Sequence, residues 1–260
     1  MKFSLDKKYN RKIAKAIAEF NLIEDGDNVL VGFSGGIDSA FLLYDMNILK
    51  ENMSVDFEIK ALTVDIAFSD IDYSPAREFC AELNIPYYLK KTKIADMIIE
   101  KEDNNPCASC SYFRKGAITE FVKNNNYKFD KIAYGHHYND AVETFLMSII
   151  YSGQIKTFMP KNNLTQAQAE VIRPLVNIQE KSIVEFMNDI DYTPINNQCP
   201  YEKNSKRKKI KDIINDFADQ KQILYNLGAA IRRDSIVELW PEKLSRDKMK
   251  EKVYKLWQGD

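Results

Sequence analysis

Apolar and polar residues along the chain alternate between two patterns. Short continuous apolar runs are typical of strands buried on both faces of a sheet, and they occur at Val29–Phe33, Ile59–Ile66, Tyr87–Leu89, Lys131–Tyr134 and Val171–Leu175. Between them lie segments with helical spacing of apolar residues, at Lys7–Phe20, Asp38–Leu49, Ser74–Leu83, Lys93–Glu100, Ser111–Asn124, Asn139–Ile150 and Ser182–Ile190. Strands that alternate with helices predict an α/β fold, in which a doubly wound, mostly parallel sheet is covered on both faces.

The remaining segments outline the domain organisation. Residues 153–170 are rich in glycine, proline, asparagine and glutamine, a composition typical of a loop. From about residue 201 the chain becomes helical in pattern and basic. We therefore expect an N-terminal helix over residues 1–24, a central domain over residues 25–195 and a basic helical C-terminal extension over residues 196–260.

Composition and charge narrow the class of protein. The 260 residues are 45% hydrophobic and 29% charged with a net charge of −1, the profile of a soluble globular protein. No apolar stretch reaches the roughly 18 residues of a membrane span, and the start of the chain lacks the apolar core of a signal peptide, so we expect a cytoplasmic protein with no membrane partner. The four cysteines indicate metal or redox chemistry, because a cytosolic chain rarely holds a disulfide framework.

One glycine loop carries the first candidate chemistry. Ser34-Gly35-Gly36-Ile37-Asp38-Ser39 lies between the first predicted strand and its helix, where backbone N–H groups at a helix N-terminus form an anion site. The loop has neither the Walker lysine nor the dinucleotide-binding spacing, which disfavours P-loop kinases, GTPases and dinucleotide enzymes. It also fits the G-x-S-x-G nucleophile elbow of hydrolases with Ser34 as nucleophile, but an elbow normally follows several strands and only one precedes this loop. A glycine turn without a ligand is the remaining alternative.

A second segment, Gly135-His136-His137, also follows a predicted strand. Ligands of parallel sheets bind outside the carboxyl ends of the strands. We therefore expect this segment and the glycine loop to converge in space.

The cysteines supply a different chemistry. Cys107 and Cys110 form a C-x-x-C pair near a predicted helix start, Cys199 lies far along the chain, and Cys80 lies on an apolar helical stretch and is expected in the core. A helix N-terminus lowers the pKa of a thiol, which favours the thiolate that binds metal. Three interpretations stay open for the pair: two buried small residues, a zinc site of three cysteines and one of the two histidines, or an iron–sulfur cluster on three cysteines with one iron left open.

Taken together, these segments resemble a known family. Ser34–Ser39 is similar to the Ser-Gly-Gly-x-Asp-Ser signature of PP-loop ATP pyrophosphatases, with Ile37 in place of the common lysine. The segments that resemble, in order, the motifs of the tRNA 2-thiocytidine synthetases (the TtcA family) are Pro106–Cys110 followed by Arg114-Lys115-Gly116, Gly135–Thr144, Met159-Pro160, Val171–Leu175 and the region around Cys199. The matches run from about residue 8 to residue 215, and the zinc-ribbon cysteine pairs of the related 2-thiouridine synthetases are missing.

The resemblance implies a fold, an activity and cofactors. The fold would be of the PP-loop, adenine nucleotide alpha hydrolase type, with residues 25–195 as an ATP-binding domain that carries the C-x-x-C pair. The activity would be tRNA thiolation, in which ATP and Mg²⁺ adenylate a cytidine carbonyl in the anticodon loop and sulfur replaces the oxygen to give 2-thiocytidine. The implied cofactors are ATP, Mg²⁺ and a 4Fe-4S cluster bound by Cys107, Cys110 and Cys199. The implied partners are tRNA, a sulfur donor such as a cysteine desulfurase or free sulfide, and a second copy of the chain in a homodimer.

The same resemblance implies roles for individual residues. The catalytic candidates are Asp38, which would help to hold Mg²⁺, Asp140 at the metal or phosphate site, and His136, which would contact phosphate or act as an acid. The cofactor-binding candidates are Ser34, Gly35, Gly36, Asp38, Ser39, Asp65, Gly135, His136 and Arg173. A packed or capping role is the alternative for His136, an N-cap role for Asp140, and a surface ion pair for Arg173.

A run of positive charge suggests how RNA would be held. Lys206, Arg207, Lys208 and Lys209 follow Cys199 closely and, with Arg114 and Lys115, are the candidate RNA-binding residues. A solvated helix face is the alternative for the run. Two rival functions also stay open: the same adenylation chemistry on another RNA base or a small molecule, and a zinc-stabilised nucleotide-binding module without catalysis.

Overall fold

The computed structural model describes residues 6–100, 105–125, 127–195, 199–202, 205–217, 219–232, 239 and 241–258. The strands in these residues are β1 (Asp27–Gly32), β2 (Phe57–Asp65), β3 (Tyr87–Lys91), β4 (Lys131–Ala133), β5 (Lys161–Leu164) and β6 (Ala169–Ile172). They form one sheet in the order β3-β2-β1-β4-β6-β5, parallel throughout except for the β5–β6 pair. The predicted doubly wound, mostly parallel sheet is confirmed.

The helices cover both faces of this sheet. The described helices are α1 (Lys7–Phe20), α2 (Ile37–Asn52), α3 (Ser74–Glu82), α4 (Ile94–Glu100), α5 (Pro106–Asn124), α6 (Tyr138–Ser152), α7 (Glu180–Met187), α8 (Lys206–Asn215), α9 (Gln220–Ala230) and α10 (Arg246–Gln258). None of these described helices has both the length and the apolar character needed to cross a membrane.

Alternation along β1 explains the two layers of helices. Val29 and Val31 belong to a core cluster that includes buried residues of α1, α2 and α7. Leu30, between them, belongs to a separate cluster with Ile118 and Val122 of α5. Successive side chains of a strand point to opposite faces of the sheet, so a continuous apolar run is needed when both faces are covered.

The topology places the expected ligand site. The chain runs from β1 to β2 and β3 on one side of the sheet, and β4 then pairs with the other side of β1. The direction of winding thus reverses between β1 and β4, where open α/β sheets bind ligands. The loops that follow these two strands are the glycine loop and the Gly135 segment.

Two predictions about local structure were wrong. Residues 153–170 contain β5, which pairs antiparallel with β6 from Lys161↔Ile172 to Leu164↔Ala169. This strand lies at the edge of the sheet. Its backbone hydrogen bonds to β6 form although its Lys-Asn-Asn-Leu sequence has little apolar character. Helix α5 begins at Pro106 rather than Ser111, because proline fits the first turn of a helix, so the cysteine pair lies inside the helix.

The C-terminal extension is attached through α8 and α9. The boundary expected at residue 196 lies outside the described residues. Ile210 and Ile214 of α8 form a buried cluster with Val142 of α6. The Tyr138 hydroxyl, at the start of α6, donates to the Leu224 carbonyl of α9 over 2.8 Å.

Candidate functional site

The glycine loop between β1 and α2 is held by its own hydroxyl groups. The Ser34 hydroxyl accepts a hydrogen bond from the Gly36 N–H (3.3 Å) and lies 3.1 Å from the Ser39 hydroxyl. Ser39 donates to the Gly36 carbonyl over 2.9 Å. Ile37 packs against the hydrophobic core, so a phosphate here would be bound by backbone N–H and hydroxyl groups rather than by a side-chain cation.

Close packing from two sides fixes the loop. Gly35 has φ +81°, and a Cβ atom there would lie 2.7 Å from Ile195. The Gly35 carbonyl accepts hydrogen bonds from the Tyr192 hydroxyl (2.7 Å) and the Ile195 N–H (2.9 Å). On the other side, a Cβ atom on Gly135 would lie 3.0 Å from the Asp38 carbonyl. The expected convergence of the glycine loop with the Gly135 segment is confirmed.

His137 joins the N-termini of α6 and α2. Its Nδ1 accepts from the Asp140 N–H (3.4 Å) and its N–H donates to the Asp140 carboxylate (3.0 Å), which makes a capping box. Because Nδ1 accepts, Nε2 carries the hydrogen, and Nε2 lies 3.8 Å from the Asp38 carboxylate. The capping role considered for His136 therefore belongs to its neighbour His137, with Asp140 as the other half of the box.

Asp38, in the first turn of α2, has a half-exposed carboxylate. Burial raises the pKa of Asp38, His137 opposes the rise, and Asp140 adds to it. A cation bound nearby would favour the charged form of this carboxyl group and so oppose the rise in its pKa.

Arg207 of α8 reaches back to α6. Its guanidinium pairs with Asp140, lies 3.4 Å from the Glu143 carboxylate and donates to the Thr144 hydroxyl over 3.3 Å. Glu143 is buried, and burial raises its pKa to about 7 although Arg207 opposes the rise. Arg207, expected to face RNA, thus compensates two carboxyl groups within the protein.

One cavity of about 560 Å³ brings the three candidate metal ligands together. Cys107 and Cys110 reach it from the first turns of α5, and Cys199 from the segment before α8. The other candidate site residues that line the same cavity are Arg114, Lys115, His136, Arg173 and Arg207. Cys80 lies apart and fully buried, as predicted, and burial raises the pKa of its thiol to about 12.

The thiols at the cavity influence one another. Burial raises the pKa of Cys107, and Cys199 raises it further. Burial also raises the pKa of Cys110, although Arg114 opposes the rise. The expected lowering of the thiol pKa is therefore wrong for Cys107 and Cys110, because burial and then neighbouring thiols raise it. Among the residues that the structure describes, no three Cys, His, Asp or Glu side chains are close enough to hold a metal ion, so the thiols share a cavity without forming a finished metal site.

His136 lies against aromatic rings at the cavity wall. Its ring is 5.2 Å from that of Phe158 and 5.8 Å from that of Tyr134. Burial lowers its pKa to about 4, so the imidazole is neutral near pH 7 and the structure does not support the expected role as an acid. Its Nδ1 is buried and has no hydrogen-bond partner in the described part of the chain.

Arg173 is anchored by neutral groups. Its Nη1 donates to the Met159 carbonyl (2.6 Å) and the Asn162 side chain (2.9 Å), and its guanidinium lies 4.9 Å from the centre of the Phe158 ring. No carboxylate of the described residues pairs with it, so the alternative of a surface ion pair is wrong. Its positive charge is left to act on the cavity.

A narrower pocket of about 40 Å³ lies beside the glycine loop and shares lining residues with the cavity. Ser34 lines this pocket, and Arg114, Ile118 and Tyr134 line both the pocket and the cavity. A nucleoside is larger than this volume, so its binding would require the pocket to open. Asp65, at the end of β2, is not among the lining residues; its carboxylate accepts from the Tyr73 hydroxyl over 3.0 Å.

Some residues at the site were missed by the sequence analysis. Tyr192 and Ile195 buttress the glycine loop from more than 150 positions away, and nothing local in the sequence indicates this contact. Tyr134 and Glu143 could have been found, because Glu143 lies within the Gly135–Thr144 block and Tyr134 directly precedes it.

Comparison with known proteins adds to this geometry. The family model of the PP-loop domain matches residues 5–216. The chain is similar to the tRNA-cytidine(32) 2-sulfurtransferase 1 of Francisella philomiragia subsp. philomiragia, with 37% identity over 83% of this chain and 84% of that protein. It is also 37% identical to the tRNA-cytidine(32) 2-sulfurtransferase 2 of Francisella tularensis subsp. tularensis, over 82% of this chain and 85% of that one.

A solved structure has the same fold. It is the U34-tRNA thiolase NcsA from Methanococcus maripaludis with its [4Fe-4S] cluster, which matches with a TM-score of 0.65 and 20% identity. The match covers 88% of this chain and 79% of that one. At this level of identity the likeness concerns the fold.

Proposed function

The chain belongs to the PP-loop domain family, together with the tRNA-cytidine(32) 2-sulfurtransferases, and from this premise we propose that it is an ATP-dependent tRNA sulfurtransferase. The enzyme adenylates a cytidine carbonyl in the anticodon loop and replaces the oxygen with sulfur, which yields 2-thiocytidine, AMP and pyrophosphate. One observation carries the proposal: Cys107, Cys110 and Cys199 line a cavity that shares wall residues with the pocket beside the glycine loop.

The glycine loop serves the activation half of the reaction. The N–H groups at the start of α2 and the hydroxyls of Ser34 and Ser39 hold the phosphates of ATP. Asp38 helps to hold Mg²⁺, which suits a carboxylate at this helix start. The cytidine oxygen attacks the α-phosphorus, the bond to the β-phosphate oxygen breaks and pyrophosphate leaves. Arg173, whose charge has no carboxylate partner among the described residues, stabilises the adenylate.

The cysteine cavity serves the sulfur half. Thiolates are the ligands of iron–sulfur clusters, so three thiols on one cavity suit a 4Fe-4S cluster by the chemistry of their donor atoms, and binding it would draw the three segments closer together. When bound, the cluster would supply an open iron from which sulfur is delivered. Cys107, Cys110 and Cys199 thereby place the sulfur next to the activated ring carbon, where the new carbon–sulfur bond forms and AMP leaves. Holding both reactants in one cavity lowers the entropic barrier of that step.

The remaining expectations complete the proposal. His136, neutral near pH 7, contacts the adenylate through its unpartnered Nδ1 rather than donating a proton from an imidazolium. Gly135, packed against the Asp38 carbonyl, allows the close approach of the two loops beside the nucleotide, and Asp65 at the end of β2 stays a candidate for nucleotide binding. The sulfur donor is a cysteine desulfurase or free sulfide, the enzyme acts in the cytoplasm, and it works as a homodimer. On α8, Lys206, Lys208 and Lys209 are exposed and remain candidates for RNA contact.

Thiolation of tRNA in vitro tests this function. The protein, purified and reconstituted with iron and sulfide under anaerobic conditions, is incubated with a tRNA transcript, ATP, Mg²⁺ and sulfide, and the digested nucleosides are analysed by mass spectrometry. We expect 2-thiocytidine that depends on ATP. A loaded protein that forms no thiolated nucleoside would contradict the proposal.

The role of the cysteines is tested by a matched pair of variants. Cys199→Ala should lose both the cluster absorption and the 2-thiocytidine signal. Cys80→Ala, which removes a thiol from the core at a distance from the cavity, should keep both. An intact cluster in the Cys199→Ala protein would show that the third ligand is wrong.

A further inference from the structure

A second basic surface lies along α5. It is a groove of about 790 Å³ between the end of β3, the start of α4 and the middle of α5. Its basic residues are Lys90, Lys91, Lys93 and Lys115, and we call it the lysine groove. Among its described lining residues Glu120 is the one carboxylate, and it pairs with Lys90 over 2.8 Å. The other three lysines have no carboxylate partner among the described residues, so their charge faces solvent.

On helix α8, by contrast, three basic side chains already pair with carboxylates. Arg207 pairs with Asp140, Lys208 pairs with Asp212 one turn along the same helix, and Lys211 lies 2.5 Å from Glu180. An ion already paired attracts a phosphate less than a free one, because the carboxylate beside it repels the anion. Among the described residues three lysines of the groove have no carboxylate partner, whereas on α8 this holds for Lys206 and Lys209, so the lysine groove is a site for a polyanion although its lysines do not form one continuous run in the sequence.

The groove adjoins the cysteine cavity at one residue. Lys115 lines both of them. At its other end, Thr165 and Gln166 line both the groove and a further cleft of about 690 Å³ that contains Lys123. Helix α5 has 19 residues, which is about 28 Å at a rise of about 1.5 Å per residue. Basic side chains thus follow this helix from the cysteine pair to its last turn.

An exposed aromatic ring stands where the groove meets the cavity. Tyr112 lies between Cys110 and Lys115 in the sequence, lines the groove and is 74% exposed. Its ring packs edge-on against that of Phe113, with 5.6 Å between the ring centroids. Exposed aromatic rings beside basic grooves serve as stacking platforms for unpaired RNA bases.

We propose that the lysine groove binds the phosphate backbone of the tRNA and that Tyr112 stacks on an unpaired base next to the cysteine cavity. The identity of the partner rests on the proposed function, whereas the position of the surface rests on the lysines and the tyrosine. Backbone contact along α5 would hold the anticodon arm while a loop base enters the cavity. Stacking on Tyr112 would favour an unstacked loop over a duplex.

Binding of a tRNA transcript to the reconstituted protein, measured by fluorescence anisotropy over a series of salt concentrations, tests the groove. Each lysine that neutralises a phosphate contributes about 0.7 to the slope of log K against log salt for a single strand and about 0.9 for a duplex. The triple variant Lys91→Ala, Lys93→Ala, Lys115→Ala should therefore reduce the slope by about 2–3. Tyr112→Ala should weaken binding about 5- to 150-fold, and Tyr112→Phe should restore it.

Arg11, Lys12 and Lys15 provide a matched control, because they are exposed on α1, which packs on the face of the sheet opposite α5. Removal of these three charges should leave the slope within a few tenths of the wild-type value. An unchanged slope in the groove variant, an equal loss in the α1 variant, or equally tight binding of polyglutamate would overturn the inference. If the wild type forms 2-thiocytidine while the groove variant binds normally, the groove is wrong and the proposed function stands. If binding depends on the groove but no thiolated nucleoside forms, the proposed function fails and the groove stands.

Discussion

Gly35 and Gly26 form a natural pair for testing how the glycine loop works. Both have left-handed backbone conformations, with φ +81° and +82°. A Cβ atom on Gly26 would meet nothing within 4 Å, whereas one on Gly35 would lie 2.7, 2.8 and 2.9 Å from three atoms of Ile195. Substitution by alanine therefore adds the same backbone strain at both sites and a steric clash at only one.

The expected magnitudes follow from these contacts. The left-handed conformation costs alanine about 1–2 kcal/mol relative to glycine, so Gly26→Ala should lower the free energy of unfolding by that amount. At Gly35 the clash includes the Cβ of Ile195, which no side-chain rotation can move away. The Ile195 segment must shift, and this weakens the hydrogen bonds from the Tyr192 hydroxyl and the Ile195 N–H to the Gly35 carbonyl. At about 0.5–1.5 kcal/mol for each hydrogen bond, we expect a total loss of about 2–5 kcal/mol.

Urea unfolding and calorimetric titration with ATP measure the two effects separately. Gly26 lies at the amino end of β1, at the opposite edge of the sheet from the loop, so Gly26→Ala should leave the Kd for ATP unchanged. Gly35→Ala should raise it at least about tenfold, which corresponds to 1.4 kcal/mol. If both variants lose ATP affinity equally, or if Gly35→Ala binds ATP as the wild type does, the loop is not the phosphate site.

Three further predictions concern stability and reactivity. The pKa of Glu143 rises from 4.5 to about 7 in the folded protein, so the folded state keeps this proton to a higher pH than the unfolded state and its stability falls as the pH rises from about 4.5 to about 7. Glu143→Gln should remove this part of the fall in melting temperature, and an unchanged pH profile in the variant would contradict the raised pKa. A Cβ atom on Gly228 would lie 1.6 Å from the Tyr138 hydroxyl, so Gly228→Ala should separate α9 from α6 and lower the free energy of unfolding in urea by about 1–3 kcal/mol. Gly116→Ala, with nothing within 4 Å of its Cβ, should instead raise the free energy of unfolding by about 0.5–1 kcal/mol. Equal effects of the two substitutions would refute the contact between Gly228 and Tyr138. Alkylation of the native apoprotein followed by mass spectrometry should label the three cavity cysteines and spare Cys80, whose thiol is buried with a pKa raised to about 12; rapid labelling of Cys80 would show that this part of the core opens.

The sequence by itself determined the fold class and the place of the glycine loop. A buried strand such as β1 needs apolar residues on both faces, and its helix needs apolar residues at helical spacing, so both leave local patterns. The hydrogen bonds among Ser34, Gly36 and Ser39 are equally local, because they join residues no more than five positions apart. Convergence with the Gly135 segment followed from the rule that parallel strands present their carboxyl ends at one edge.

The tertiary structure decided what these groups can do. The basic run that contains Arg207 indicated RNA binding. In the fold, however, Arg207 pairs with the carboxylate of Asp140, 67 positions away. His136 and His137 are adjacent in the sequence, yet one caps a helix and the other is buried against aromatic rings. The thiols of Cys107 and Cys110 have raised pKa values because partial burial disfavours the thiolate, and Cys199, far along the chain, adds to the rise. Charge state and hydrogen-bond partner depend on which distant residues fold around a group, and a local pattern carries no record of that.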